Sequence, residues 1–211
     1  MSNPYKGKFI TLEGGEGSGK STQIQFILDA LKKKGVPVIS TREPGGSAGA
    51  ELIRNLLVKG DVHRWDAVTE ALLMNAARRD HVRNLIIPAL EKGTWVICDR
   101  FSDSTLAYQG YGHGVALSYL HALYELIAGS LTPDLTFVFD LDPRVGLERA
   151  RRRSDSEDRF ERMSLEFHDR IREGFRRIAQ TDLNRYILID ASLDRQTIFG
   201  QIMDYIGQKN L

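Results

Sequence analysis

The sequence predicts an α/β fold, a five-stranded parallel sheet with helices on both faces. Three observations predict it. Short β-forming runs alternate with segments of helical periodicity, the pattern of a parallel sheet buried on both sides. The first run leads into Gly14-Gly15-Glu16-Gly17-Ser18-Gly19-Lys20-Ser21, a glycine, four free positions, then Gly-Lys-Ser, which is phosphate-binding P-loop spacing. Polar residues suited to chemistry gather just beyond the ends of the runs, where ligands sit in open α/β sheets.

The elements follow in order. Residues 9–13 read as a strand, and the helix over 22–34 sets Ile24, Ile27, Leu28 and Leu31 on one side. Between them the glycines let backbone N–H groups converge on phosphate oxygens at a helix N-terminus, where the dipole favours negative charge. Lys20 supplies a mobile cation for the β- and γ-phosphates, and Ser21 a hydroxyl for Mg²⁺. The phosphate site therefore takes in Gly14, Gly15, Glu16, Gly17, Ser18, Gly19, Lys20, Ser21 and Thr22. The second strand, 36–41, runs into Arg42-Glu43-Pro44-Gly45-Gly46. The third, 94–99, ends at Asp99 with Arg100 next. The fourth, 135–141, precedes Asp142-Pro143, and the fifth, 186–190, ends at Asp190. One site fed by several strand ends explains these placements economically.

Composition narrows the class. A chain of 211 residues suits one domain, or one with an insertion. A net charge of +1 argues against a general nucleic-acid binder. The single cysteine, Cys98, rules out an internal disulfide, fits a reducing compartment and reads as a small buried strand residue. No apolar run approaches the roughly 20 residues of a membrane helix, and residues 1–8 carry no apolar signal segment. His63, His81, His113, His121 and His168 lack metal-ligand spacing. The segment 110–114 around His113 reads as a structural loop. Trp65 and Trp95 read as packing residues.

A P-loop alone does not name a reaction. The chain has neither the Asn-Lys-x-Asp of a GTPase nor the Leu-Ser-Gly-Gly-Gln-like segment of a transporter ATPase, and its length fits a small phosphotransferase. Residues 149–162 hold six arginines among four acids. Such a run is either an exposed helix end crossed by ion pairs or a mobile lid that brings guanidinium groups onto a transferring phosphoryl. The free P-loop positions contain no arginine, so a catalytic guanidinium must come from elsewhere, which favours the lid. Arg153 is carried forward as the catalytic candidate, although nothing in the residues separates it from its neighbours.

On these features the chain resembles the bacterial thymidylate kinases over nearly its whole length. Thr41-Arg42-Glu43-Pro44-Gly45-Gly46, Asp99-Arg100-Phe101 and Ser104-Thr105-Leu106-Ala107-Tyr108-Gln109-Gly110 carry the resemblance. An arginine-free P-loop with an arginine-rich lid resembles the enterobacterial-like type. The resemblance implies a cytoplasmic homodimer of P-loop NTPase fold that converts dTMP and ATP–Mg²⁺ to dTDP and ADP, with no nucleic-acid or membrane partner. It also implies roles. Arg100, helped by Arg54, would bind the acceptor phosphate; Asp99 would hold Mg²⁺ or orient phosphates, and Glu43 would join that network. Glu16 would meet the sugar 3′-hydroxyl and Tyr108 would crowd the 2′ position. Arg78, Thr105 and Gln109 would read the thymine edges. Met74 stands where the family usually has a stacking aromatic, one helical turn before Arg78; a thioether can lie against a ring, or it can simply fill the core. Arg79, about 100° from Arg78 on the helix, would face solvent or phosphate. A kinase of another nucleotide or deoxynucleoside, and a non-catalytic nucleotide sensor, are the competing readings. Intact Lys20, Ser21, Asp99 and Arg100 speak against the sensor.

Overall fold

The computed structural model describes residues 5–152 and 158–209. Five strands, β1 (Phe9–Gly14), β2 (Val38–Arg42), β3 (Trp95–Asp99), β4 (Leu135–Asp140) and β5 (Tyr186–Asp190), form one sheet in the order β2-β3-β1-β4-β5. Every pairing is parallel. The expected sheet is therefore present, with small shifts at strand ends. β2 begins two residues later than expected because Val36 N–H instead donates to the Leu31 carbonyl, closing the preceding helix, and Pro37 has no N–H to give.

The described helices are α1 (Lys20–Lys33), α2 (Ala48–Val58), α3 (Ala67–His81), α4 (Ile87–Glu91), α5 (Ser102–Thr105), α6 (Leu117–Ala128), α7 (Pro143–Arg151), α8 (Leu165–Ala179) and α9 (Arg195–Gln208). Two stretches, Val82–Ile86 and Leu106–Gly112, are wound as π-helix. The second corrects the reading of 110–114 as a loop: Gly110 to Gly112 belong to this wide helix, and His113 follows at its end, packed on Phe167 with ring centres 4.6 Å apart. Wide turns of this kind recur where a helix must re-aim side chains at a site.

The strands alternate as a two-residue period requires. Ile10, Leu12, Ile97, Phe137 and Phe139 pack with α1 and α9 on one face. Phe9, Val96 and Cys98 pack against the Val82–Leu90 segment on the other. Val138 meets Tyr108, Phe167, Phe175 and Ile178 on α8 and the π-helical stretch. Thr11 and Thr136 point into the second face, where their hydroxyls bond to each other at 2.8 Å and so satisfy two buried polar groups. Cys98 is fully buried, as expected, and burial pushes its thiol well up. The chain leaves β1 toward α1 at the point where the strand order reverses, which opens a crevice at the carboxyl ends of the strands.

Asp142 and Asp190 sit at strand ends, as expected, but serve the chain locally. Asp142 caps α7 by accepting from Arg144 N–H, and Asp190 accepts from the N–H and hydroxyl of Ser192.

Candidate active site

One cavity of about 1340 Å³ occupies the crevice. Its walls include the P-loop, Arg42 to Pro44, Arg54, Met74, Arg78, Asp99 to Phe101, Thr105, Tyr108, Gln109, Arg149, Arg152 and the 191–196 loop. The expected site residues within the described chain thus share one space, except Gly14 and Gly15, which lie behind the part of the P-loop that lines it. Arg153 lies outside the described residues.

The phosphate end is built mainly by backbone. Gly14, Gly17 and Gly19 have φ of 134°, 64° and 94°, a region L side chains avoid. Gly17 also lies against α7: a Cβ there would sit 2.0 Å from the Gly146 carbonyl oxygen, and a Cβ on Gly146 would sit 2.3 Å from the Glu16 carbonyl oxygen. Lys20 Nζ donates to the Gly14 and Gly15 carbonyls at 3.1 and 2.9 Å and to Ser18 Oγ at 3.2 Å. Burial and then the Arg100 charge bring the Lys20 ammonium down to about 8, against the pull of Asp99 and Glu16. Ser21 Oγ donates to Asp99 Oδ2 at 3.0 Å, which sets two hard oxygen donors side by side at the start of α1. Among the described residues no cluster of three His, Cys, Asp or Glu side chains could hold a metal by itself. A hydroxyl, one carboxylate and phosphate oxygens fit Mg²⁺, which keeps waters and binds through few protein ligands.

Arg100 is the only described non-glycine residue with positive φ, at 67°. A local clamp holds this costly conformation. Arg100 N–H donates to the Leu12 carbonyl, and Glu13 accepts from Phe101 N–H at 2.7 Å and from Ser104 Oγ at 2.6 Å. The guanidinium then reaches the Gly14 carbonyl at 2.7 Å, Ser104 Oγ at 3.2 Å and Glu16 Oε1 at 3.0 Å, and it lies over the Tyr108 ring. Tyr108 OH donates to the same Glu16 oxygen at 2.7 Å. Burial raises the Glu16 carboxyl, but Arg100, Lys20 and the Tyr108 hydroxyl outweigh it and hold it at about 2. At Glu13 the Ser104 hydroxyl, the Arg100 charge and the Phe101 N–H pull the same way but do not prevail. Burial and then Asp103 push it up to about 8.

The opposite end of the cavity, around Arg78, is built by side chains. Arg78 is 3% exposed. It donates through Nε to Glu43 Oε2 at 2.7 Å, through Nη1 to Asn75 Oδ1, and through Nη2 to the Phe101 carbonyl and Thr105 Oγ1, both at 3.0 Å. Of the five N–H bonds of a guanidinium, one on Nη1 remains for a ligand. Glu43 Oε1 faces His81 Nδ1 at 3.0 Å. A carboxylate only accepts, so His81 donates to it from Nδ1, while Nε2 faces Thr41 Oγ1 at 2.6 Å. Glu43 is therefore placed by partners at this end, and its link to the phosphate end is its backbone N–H bond to the Asp99 carbonyl. Gln109 Nε2 donates to Glu70 Oε1 at 2.7 Å. Arg54 Nη1 donates to the Pro44 carbonyl at 2.6 Å. Met74 is half-buried at the cavity wall.

Two expectations about arginines change. Arg159 belongs to the arginine-rich segment, yet it is 2% exposed. It donates to Glu70 Oε2 and to the Leu57, Asp61 and Val62 carbonyls, which makes it a buried anchor. Arg79 turns away from the cavity, as its spacing requires, but its guanidinium meets the Ile127 carbonyl at 2.8 Å near the end of α6 instead of a phosphate. Sequence reasoning passed over Glu70 and Asn75, dismissed His81, and did not give Glu13 a role. The available signal was the stripe Glu70, Met74, Arg78, His81 at helical spacings of four, four and three. Gln23 was also missed. It is buried at the cavity wall, its Nε2 donates to the Arg195 carbonyl, and its Oε1 has no protein partner among the described residues.

Comparison with known proteins covers both ends of the site. The thymidylate kinase family model matches residues 12–202. The chain is 48% identical over 208 residues to a thymidylate kinase of Bradyrhizobium sp. (strain ORS 278), covering 98% of this chain and 92% of that protein. It is 50% identical over 204 residues to one from Caulobacter vibrioides, covering 97% and 98%. The crystal structure of thymidylate kinase from Ehrlichia chaffeensis superposes with a TM-score of 0.77 at 36% identity, covering 95% of this chain and 98% of that one. The cavity that runs from the P-loop to a closely lined pocket around Arg78 is thus that of a chain belonging to the thymidylate kinase family, and the protein phosphorylates dTMP.

Proposed function

We propose that the protein transfers the γ-phosphoryl of ATP–Mg²⁺ to dTMP, giving dTDP for dTTP synthesis, with the residues of this cavity in the following roles. The observation that carries the reading is the continuity of the cavity from the P-loop, past Arg100, to Arg78 and Gln109. One space thereby takes a donor triphosphate and an acceptor nucleotide in line.

Lys20, the P-loop N–H groups and Thr22 bind the donor phosphates. Ser21 and Asp99 would hold Mg²⁺, which would supply neutralisation of the charge that builds between donor and acceptor. Arg100 receives the acceptor phosphate, with Arg54 beside it. A guanidinium held on a fixed strand end offers bidentate geometry to a dianion that ATP would otherwise repel. The acceptor oxygen is already ionised, so no general base is needed and catalysis reduces to positioning and charge stabilisation. Glu16, ionised and pinned by Arg100 and Tyr108, accepts the sugar 3′-hydroxyl, while the Tyr108 ring closes the space of a 2′-hydroxyl. Arg78, Thr105 and Gln109 meet the base edges with Met74 against its face, and Glu43 sets Arg78.

The arginine-free P-loop, together with Arg149 and Arg152 at the cavity wall, supports the enterobacterial-like type, with a lid over 149–162 in a single domain. Arg153 supplies the guanidinium to the transferring phosphoryl. Arg159 roots that lid and does not travel with it. Leu52, Leu56, Val68, Leu72, Tyr119 and Leu126 are exposed on α2, α3 and α6. Apolar side chains spread over neighbouring helices support a homodimer. Cys98, buried as a free thiol, fits the cytoplasm. No helix of the described residues is long and apolar enough to cross a membrane.

The test is ADP formation by the pure protein with ATP, with and without Mg²⁺, against dTMP, dUMP, dCMP, AMP, GMP and thymidine. A Mg²⁺-dependent rate with dTMP well above the others is expected. A preference for another acceptor would refute the base-edge roles and leave the phosphate-end roles standing.

A further inference from the structure

The buried carboxylate of Glu70 touches neither the phosphate end nor the base-reading guanidinium, yet it is 1% exposed at the back of the base pocket. Each of its oxygens has a separate task. Oε1 accepts from Gln109 Nε2 at 2.7 Å, with His113 Nε2 at 3.6 Å. Oε2 accepts from Arg159 Nη1. Arg159 is in turn fixed by the carbonyls of Leu57, Asp61 and Val62. The carboxylate is thus neutralised and immobilised from one side and orients an amide on the other.

That arrangement decides a chemical question. An amide side chain can present either its oxygen or its NH₂ to a ligand, and the two ends are nearly the same shape. An ionised carboxylate accepts only, so it holds the Gln109 NH₂ on its own side and leaves Oε1 on the side away from Glu70. Gln109 lines the cavity. We propose that Glu70 is a positioning residue for base selection: by fixing the Gln109 amide it presents an acceptor to the pocket and favours a pyrimidine whose ring nitrogen carries a hydrogen. Thymine N3–H is a donor and meets that acceptor. Cytosine N3 is an acceptor and faces it lone pair to lone pair. A site that leaves a buried polar group unpaired against the wrong ligand discriminates more strongly than a difference in shape does. Arg159 serves the same end indirectly, as the countercharge that keeps Glu70 in place. The inference rests on the proposed reading of Gln109 as a base contact.

The experiment measures kcat and KM for dTMP and dCMP, together with the thermal midpoint, in the wild-type chain and in Glu70→Gln, Glu70→Gln/Arg159→Met and Gln109→Leu. In Glu70→Gln the partner of Gln109 can donate or accept, so the amide turns freely. The dTMP KM should rise about tenfold with kcat within about twofold, and the dTMP to dCMP ratio of kcat/KM should fall at least tenfold. Glu70→Gln strands a buried guanidinium, so its thermal midpoint should drop. The double variant removes that charge and should recover the midpoint while keeping the lost discrimination, a combination that a purely structural role would not give. Wild-type discrimination in the folded double variant, with discrimination lost in Gln109→Leu, would overturn the role of Glu70 and leave Gln109 as a base contact. Wild-type discrimination in Gln109→Leu would overturn the Gln109 reading and the inference with it.

Discussion

The two ends of the cavity are made differently. At the phosphate end the binding groups are backbone N–H groups and residues that end strands, consecutive in sequence and held by the sheet. At the proposed base end they are side chains from α3, the 41–46 loop and the π-helical stretch, held by each other through Glu43, Glu70, His81 and Arg159. The first is rigid because the fold is rigid. The second is rigid because a network of buried charges is fully paired, and such a network is costly to leave half-made. Rate should therefore be more exposed to damage at the first end, and stability at the second.

The sharpest test of that contrast removes one arginine from each end. Arg100→Ala should lower kcat/KM for dTMP by roughly 10³-fold or more, because the proposed charge contact to the reacting phosphate is lost. Its loss of stability should be smaller than that of the base-end variant, since the Arg100–Glu16 pair is partly exposed and Glu16 keeps the Tyr108 hydroxyl and the Lys20 charge. Arg78→Ala should instead lower folding stability by about 3–5 kcal/mol, because Glu43 is left buried with His81 but without its guanidinium partner. Denaturant unfolding at fixed temperature measures it. Equal stability losses in the two variants would erase the distinction between the ends.

Glu13 joins the two ends, and its titration gives the next prediction. In the folded chain its carboxyl stands at about 8 instead of 4.5. Between those values the folded state keeps a proton that the unfolded state has lost, so this group lowers stability as pH rises from about 5 to 8, by up to about 1.4 kcal/mol per unit. Above that range the cost levels off. Glu13→Gln keeps an acceptor for Phe101 N–H and turns an NH₂ donor toward Ser104 Oγ, whose hydroxyl can accept it, without the charge. It should melt higher than wild type at pH 8, with the gain shrinking toward pH 5. A gain that grows as pH falls would contradict the assignment. The smallest effect concerns Met74. Met74→Phe restores a flat face and should lower the dTMP KM about two- to tenfold with kcat unchanged, the scale of one aromatic contact.

The same contrast explains what could be read in the sequence. The sheet, its strand runs and the P-loop were legible because their signals are local: alternating apolar residues, glycines at fixed offsets, and a lysine and serine beside them. Lys20, Ser21, Asp99 and Arg100 follow one another or end strands, so they could be named without coordinates. Glu70, His81 and Arg159 could not. Their meaning lies in partners far along the chain, and the composition of 149–162 made Arg159 look like a surface charge when it is an interior one. The π-helical winding of Leu106–Gly112 was hidden for a related reason. The glycines in that stretch look like loop punctuation, whereas Gly110 and Gly112 are where Leu117 and Phe167 pack against the backbone.

The bare contact between Gly17 and Gly146 has a consequence for anyone who would transplant this motif. The phosphate loop and α7 touch backbone to backbone, with no side chain between them to absorb a mismatch. Whatever the loop does on taking up a nucleotide, the helix that leads into the arginine-rich segment must follow or resist directly. The eight residues from Gly14 to Ser21 are therefore half of a part whose other half is a patch of naked helix. Grafted alone onto another sheet, they would arrive without the surface they were cut to fit.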